Sequence, residues 1–287
     1  MRLSSSLKHQ LKRIRWQARR ASSALRWGNS HLKAMPAVLG NAMPKSGSHL
    51  IIQVLHGLAQ IGPFVNPGFP PVNRTEDNTK LSDQAILANI RSMRPGDIAY
   101  GYISAVEPFI STLTAPGRAT IFVYRDPRDM IISQIFYAME MYEEHWMHDY
   151  YTQELHSMEE RINAAIQGVQ RPGTELTPLR KRYQTYLGWL DQPRVLSLRL
   201  EDLLLNREAA LNRLLDYLAE HGFRHQVSRS NALAVLSQSI APKKSGTFRK
   251  GKPGNWKEHF TDANKALFKE QVGDLLIQLG YENDQNW

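Results

Sequence analysis

Lys45-Ser46-Gly47-Ser48-His49 gathers a cation, two hydroxyls, a glycine and an imidazole directly after the apolar run Ala37-Val38-Leu39 and directly before the apolar-periodic segment Leu50 to Leu58. That order reads strand, tight loop, helix. The first N–H groups of a helix lack intrahelical partners, and the helix dipole adds partial positive charge there. Gly47 lets the backbone approach an anion, Ser48 can donate from its hydroxyl, and Lys45 brings a full charge to the same point, so the loop suits a phosphate. It is not a Walker A sequence, because Lys45 precedes Gly47 and GxxxxGK[ST] places lysine after glycine. A second cationic set is Arg125-Asp126-Pro127-Arg128-Asp129 with Ser133, a third Thr247 to Lys257, where Arg249, Lys250, Lys252 and Lys257 alternate with Phe248 and Trp256. Aromatics among cations suit a planar base that carries a phosphate.

The elements that must position these groups follow from the apolar pattern. Ala119 to Tyr124 is an unbroken apolar and β-branched run of the kind found in buried parallel strands, and Met130 to Phe136 continues as a helix. Arg125 and Arg128 therefore lie at a strand's carboxyl end, where open α/β sheets bind ligands. A structural ion pair to Asp126 or Asp129 is assigned to Arg128, and the ligand role to Arg125. Gly62 to Arg74, with Pro63, Pro67, Pro70 and Pro71, must be irregular and is a candidate acceptor-binding wall. A helix is predicted over Leu81–Met93, starting near Ser82-Asp83, with a strand over Asp97–Ile103. Residues 137–170 read as helical; His145 and His148 are three apart, too little for a metal site without further spaced ligands. Helices are predicted over Leu179–Leu190, from Glu201 to about Ala219 and over Ala263–Leu279, with a short strand at Val195–Leu198. Alternating strands and helices give an α/β fold in three layers, with a central parallel sheet flanked by helices.

The chain has 287 residues, no cysteine and a formal charge of +9. Disulfides, thiolate metal sites and a cysteine nucleophile are excluded, and a cytoplasmic location is expected. Nine of the Lys and Arg, and no acid, fall in residues 1–34, leaving 27 basic against 27 acidic residues over 35–287. A neutral body argues against nucleic acid as a partner. Within the arm, Leu7, Leu11, Ile14, Ala18, Ala21 and Leu25 recur at helical steps among cations, the pattern of an amphipathic helix on an anionic membrane surface. A helix packed on the body is the equal alternative. A secretory signal is disfavoured for want of an apolar core segment, while a mitochondrial presequence shares this composition. The division expected is a basic arm at 1–35 and an α/β domain at 36–287.

Three stretches in this order resemble the sulfotransferases that use 3'-phosphoadenosine 5'-phosphosulfate (PAPS). Pro44-Lys45-Ser46-Gly47-Ser48 is similar to their 5'-phosphosulfate loop, and Arg125-Asp126-Pro127-Arg128-Asp129 with Ser133 to their 3'-phosphate segment. Arg249-Lys250-Gly251 followed by Gly254-Asn255-Trp256-Lys257 and His259-Phe260-Thr261 resembles their closing signature, and Arg199-Leu200-Glu201-Asp202-Leu203 a weaker landmark. The resemblance implies a P-loop-like fold and in-line transfer of a sulfuryl group to a hydroxyl or amine. It also implies cofactor contacts from Lys45, Ser46, Gly47, Ser48, His49, Arg125, Ser133, Arg249, Lys250 and Gly251. No metal is implied, since arginine and lysine neutralise the charge.

Two positions depart from the family pattern. Where many members carry a histidine base after glycine, this chain has Gly101-Tyr102-Ile103, and tyrosine with a reference pKa near ~10 is a poor base. His49, or Glu76, Asp77 or Glu107, are the replacements, so the catalytic set expected is Lys45, His49 and Tyr102. The aromatic that usually follows the phosphate loop is Leu50. The acceptor expected is a small molecule, carbohydrate or glycolipid. A nucleotide kinase and a non-catalytic nucleotide-binding relative are the competing classes.

Overall fold

The computed structural model describes residues 5–65, 72–75, 79–241 and 253–287. Arg249, Lys250, Gly251, Phe248, Glu76, Asp77 and residues 66–71 of the proline-rich stretch lie outside the described residues. The chain divides into two compact units, one of Met1–Tyr124 with Gly188–Pro242 and one of Arg125–Leu187 with Lys243–Trp287.

The first unit is built on a parallel sheet. Its strands are β1 (Ala37–Ala42), β2 (Ile98–Gly101), β3 (Arg118–Tyr124) and β4 (Val195–Arg199), in the spatial order β2-β1-β3-β4. The sequence runs that read as strands are these strands, buried along nearly their whole length as parallel strands must be. In register, Val38 lies opposite Ala119, Gly40 opposite Ile121 and Ala42 opposite Val123. These residues share a face with Leu196 and Leu198 of β4 and form the main apolar core with helices α3 (Ser48–Ile61), α10 (Arg207–Glu220) and α11 (Arg229–Ser239). Gly40 permits the closest approach: a Cβ there would stand 2.8 Å from Ile51 Cγ1 and 2.9 Å from Leu55 Cδ1, so α3 rests directly on the β1 backbone. Helices α1 (Ser5–Trp27), α2 (Asn29–Lys33), α4 (Asp83–Ser92), α5 (Phe109–Leu113) and α9 (Leu200–Leu205) complete the unit. The start expected for α4 is observed, with the Ser82 hydroxyl accepting from the Ala85 amide, a cap of about 1 kcal/mol. This is the α/β class expected, a central parallel sheet flanked by helices.

The second unit holds α6 (Pro127–Phe136), α7 (Met158–Gln167), α8 (Leu179–Leu187), α12 (Asp262–Val272) and α13 (Leu275–Gln278). Residues 137–170 are not the continuous helix expected. Two π-helical turns, Tyr137–Met141 and Tyr150–Glu154, precede α7, which starts afresh on a capping box between Ser157 and Glu160. His148 Nδ1 lies 2.8 Å from the Ala138 carbonyl oxygen, and the His145 ring stacks on Trp146. The helix expected over Ala263–Leu279 is two helices, because Gly273 turns left-handed at φ 63° between them.

Candidate active site

β1 and β3 leave the sheet side by side, with Ala42 opposite Val123, and each is followed by one of the cationic sets read in the sequence. After β1 the backbone takes an unusual course. Lys45 has φ 64°, the left-handed region that non-glycine residues seldom occupy and that concentrates at ligand sites. Gly47 follows at φ 97° and starts α3 without any side-chain cap, and no acid sits in the first turn. The Leu50 and Ile51 amides turn back to the Gly47 carbonyl oxygen, at 2.9 and 3.1 Å. The Ser48 and His49 amides precede them and have no intrahelical acceptor. Ser46 is fully buried, yet its hydroxyl has no hydrogen-bond partner among the described residues.

Two supports hold this loop. A Cβ on Gly47 would stand 2.5 Å from Leu200 Cδ1, so the first residue of α9 is packed against the loop backbone. His49 is exposed at the rim; the protein crowded against its ring, and then the Lys45 ammonium, lower its pKa. From β1 itself, the fully buried Asn41 side chain exchanges two hydrogen bonds with the backbone of Ile103, just after the neighbouring strand β2, at 2.9 and 2.8 Å, and Trp189 Nε1 donates to the same carbonyl oxygen at 2.8 Å. The residue after Tyr102 is thereby fixed, while the Tyr102 ring packs against the main core and its carbonyl oxygen accepts from Asn73. Glu107 is engaged too, accepting from the Ser111 amide at the start of α5.

In the second unit Asp129 and Ser133, four residues apart on α6, share a face, and Arg125 stands just before the helix. Asp126 caps the helix by accepting from the Arg128 amide, and Pro127 takes its first position. Arg125 stands 4.0 Å from Asp129, and its carbonyl oxygen accepts from the Tyr183 hydroxyl of α8 at 2.9 Å. Asp129 also accepts from the Gly254 and Trp256 amides, at 2.7 and 2.9 Å, so the end of the closing signature is tied to the helix that carries Ser133 and follows Arg125. Burial pushes the Asp129 carboxyl up, against the pull of Arg125 and the two amides. Arg128 has the structural role expected: it pairs with Asp126 at 2.7 Å and Glu282 at 2.6 Å. Its guanidinium lies over the indoles of Trp256 and Trp287, at 4.0 and 4.5 Å, where the two rings meet edge to face. Trp256 is therefore a correction. The sequence suggests a base-stacking aromatic, and the structure buries it in this cation–π cluster.

A family model described as "Sulfotransferase domain" matches residues 107–280, more than half of the chain.

The chain belongs to the sulfotransferase family.

Solved structures agree at the level of the fold. The sulfotransferase-family chain is similar to mouse sulfotransferase SULT7A1 complexed with PAP, with TM-score 0.57 and 13% identity over 87% of this chain and 90% of that one. It is similar also to retinol dehydratase in complex with androsterone and inactive cofactor PAP, TM-score 0.57 and 13% identity over 86% and 83%. A retinol dehydratase complex with retinol and PAP gives TM-score 0.56, 13% identity, 86% and 84%. A search of curated proteins finds no match.

The family match begins after the loop at 43–50, so the loop's reading rests on its own geometry. That geometry fits a bound anion: the Lys45 ammonium and two helix-terminal amides can only donate, the Ser46 and Ser48 hydroxyls can donate beside them, and the buried Ser46 hydroxyl has no partner among the described residues. Sequence reasoning named Lys45, Ser46, Gly47 and Ser48 together, and the structure has them together. It missed the supports. Leu200 stood inside a recognised landmark without a role, and Asn41, Trp189, Tyr183 and Asp129 act through contacts more than fifty residues away in sequence that no local pattern reveals.

Proposed function

We propose that the chain transfers the sulfuryl group of PAPS in line to a hydroxyl or amine of a small acceptor, a carbohydrate or glycolipid among the candidates. The observation that carries this reading is the donor-rich loop at 45–49, with a strained lysine and a buried hydroxyl lacking a partner among the described residues. Lys45, Ser46, Gly47, Ser48 and His49 would hold the 5'-phosphosulfate, and Arg125 and Ser133, with Arg249, Lys250 and Gly251, the 3'-phosphate. PAPS supplies the sulfuryl group together with a good leaving phosphate. Lys45 would stabilise the charge that develops on departure, where a fixed cation is worth most.

The acceptor's proton needs a base. His49 suits that role because burial and Lys45 hold its pKa below the ordinary value, leaving the imidazole neutral and able to accept at neutral pH. Tyr102 is the second candidate, held by the Asn41 anchor beside it. The same reading places the protein in the cytoplasm as a 36–287 domain with a 1–35 arm, in peripheral contact with membrane through residues 1–34. No helix among the described residues is long and apolar enough to cross a bilayer.

The test is transfer of label from 35S-PAPS to a panel of glycolipids, saccharides and small alcohols. Labelled product that disappears with Lys45→Ala supports the reading. PAP binding without transfer to any acceptor would favour a non-catalytic relative.

A further inference from the structure

The arm settles onto the body by the face opposite to its apolar one. Arg20 reaches the fully buried Asp97 at 2.7 Å and the Pro95 carbonyl oxygen at 3.0 Å, Ser23 is buried, and Arg94 lies 4.5 Å over the Trp16 ring. Leu7, Leu11, Ile14 and Leu25 are exposed, Ile14 by 61% and Leu25 by 90%, and Ala18 and Ala21 between them are exposed as well. At about 100° per residue these six fall within an arc of about 80°, centred about 180° from Trp16, Arg20 and Ser23. Arg15 and Arg19, both exposed, flank the stripe on one side. The helix therefore spends its polar face on the fold and presents its apolar face, edged by cations, to the outside.

We propose that this outer face of α1 is a docking surface for an anionic phospholipid bilayer, with the helix lying in the interface and the Arg20–Asp97 pair fixing which side faces the lipid. Charge selects this occupant. Residues 1–34 hold nine cations and no acid, so a second copy laid on the stripe would bring like charges together, whereas a phosphatidylserine surface attracts them. A nucleic acid would use the cations and leave the leucines and isoleucine in water. This surface deepens the peripheral-contact part of the proposed function, and its test is independent of sulfuryl transfer because its readout is binding to vesicles.

The full chain is sedimented with vesicles of phosphatidylcholine alone and of phosphatidylcholine with 30% phosphatidylserine, at about 0.1 M and 0.5 M salt. The expected result is partition onto the anionic vesicles only, weakened at high salt. Leu11→Glu/Ile14→Glu should lower the partition coefficient at least about tenfold. Arg15→Glu/Arg19→Glu should lower it about twenty-five-fold or more, at about fivefold per cation. Both variants should retain the wild-type melting temperature and PAP affinity, since all four side chains are exposed. Equal binding to neutral vesicles, no binding, or binding untouched by both variants overturns the inference. So does a concentration-dependent dimer, lost in Leu11→Glu/Ile14→Glu without any vesicle binding, which would give the stripe to a second copy.

Discussion

Gly47→Ala probes the phosphate-type loop where two separate constraints meet. The residue has φ 97°, and holding an L-residue in left-handed backbone costs about 1–2 kcal/mol. The added methyl would also stand 2.5 Å from Leu200 Cδ1, and overpacking of this kind costs about 1–3 kcal/mol when the neighbour must move. The two effects sum to a loss of about 2–5 kcal/mol in a denaturant titration. Leu200→Ala separates them. Alone it should cost about 2–5 kcal/mol for the buried side chain it removes, but in its presence Gly47→Ala should cost only the backbone part, about 1–2 kcal/mol. The cycle should thus show about 1–3 kcal/mol of relief. PAP affinity of Gly47→Ala should fall about tenfold to a hundredfold, the worth of one charge-assisted hydrogen bond from a displaced amide. A variant as stable as wild type, or an equal cost in both backgrounds, would refute the contact between α9 and the loop.

Arg20→Ala should destabilise the fold by about 3–5 kcal/mol, since it leaves a carboxylate in the interior without its cation, and Asn at position 97 in the same chain should recover most of that loss. Burial already raises the Asp97 pKa, so its favourable contribution is present in acid and is lost as pH climbs through the raised value; the Arg20→Ala penalty should accordingly shrink on acidification, as urea titrations at several pH values would show. His49→Asn should slow turnover about 10²–10⁴-fold. In the wild type the acid limb of kcat/KM should fall at a pH below the ordinary histidine value, and Lys45→Ala, by removing the neighbouring charge, should move whatever limb survives upward. Tyr183→Phe removes the bond to the Arg125 carbonyl oxygen and should weaken PAP while leaving AMP, which has no 3'-phosphate, unchanged in calorimetric titration.

What local chemistry dictates was legible in the sequence. β3 and its arginine turn were marked by a β-branched run ending at a helix start, α4 by its serine cap, and the loop at 45–49 by glycine between donors. Periodicity also found the arm helix, but a helical stripe says only that six residues share a face, and the choice between body and solvent was made by Arg20 and a buried aspartate 77 residues away. Trp256 was misread for a similar reason. An aromatic among cations in sequence looks the same whether it awaits a base or already stacks on Arg128, and the partner at Trp287 is distant. The π-turns at 137–141 and 150–154 carry no glycine or proline, so composition alone did not mark the places where the hydrogen-bond ladder widens.

The most direct measurement is a calorimetric titration with PAP, AMP and, in the absence of metal, ATP, on the wild-type chain and on Arg125→Ala. PAP should bind at least about tenfold more tightly than AMP, the worth of a charge-assisted contact to the second phosphate, and Arg125→Ala should erase that margin while leaving AMP affinity intact. Equal affinity for PAP and AMP, or preference for ATP, would contradict the 3'-phosphate role of Arg125 and with it the reading of this chain as a PAPS-dependent enzyme.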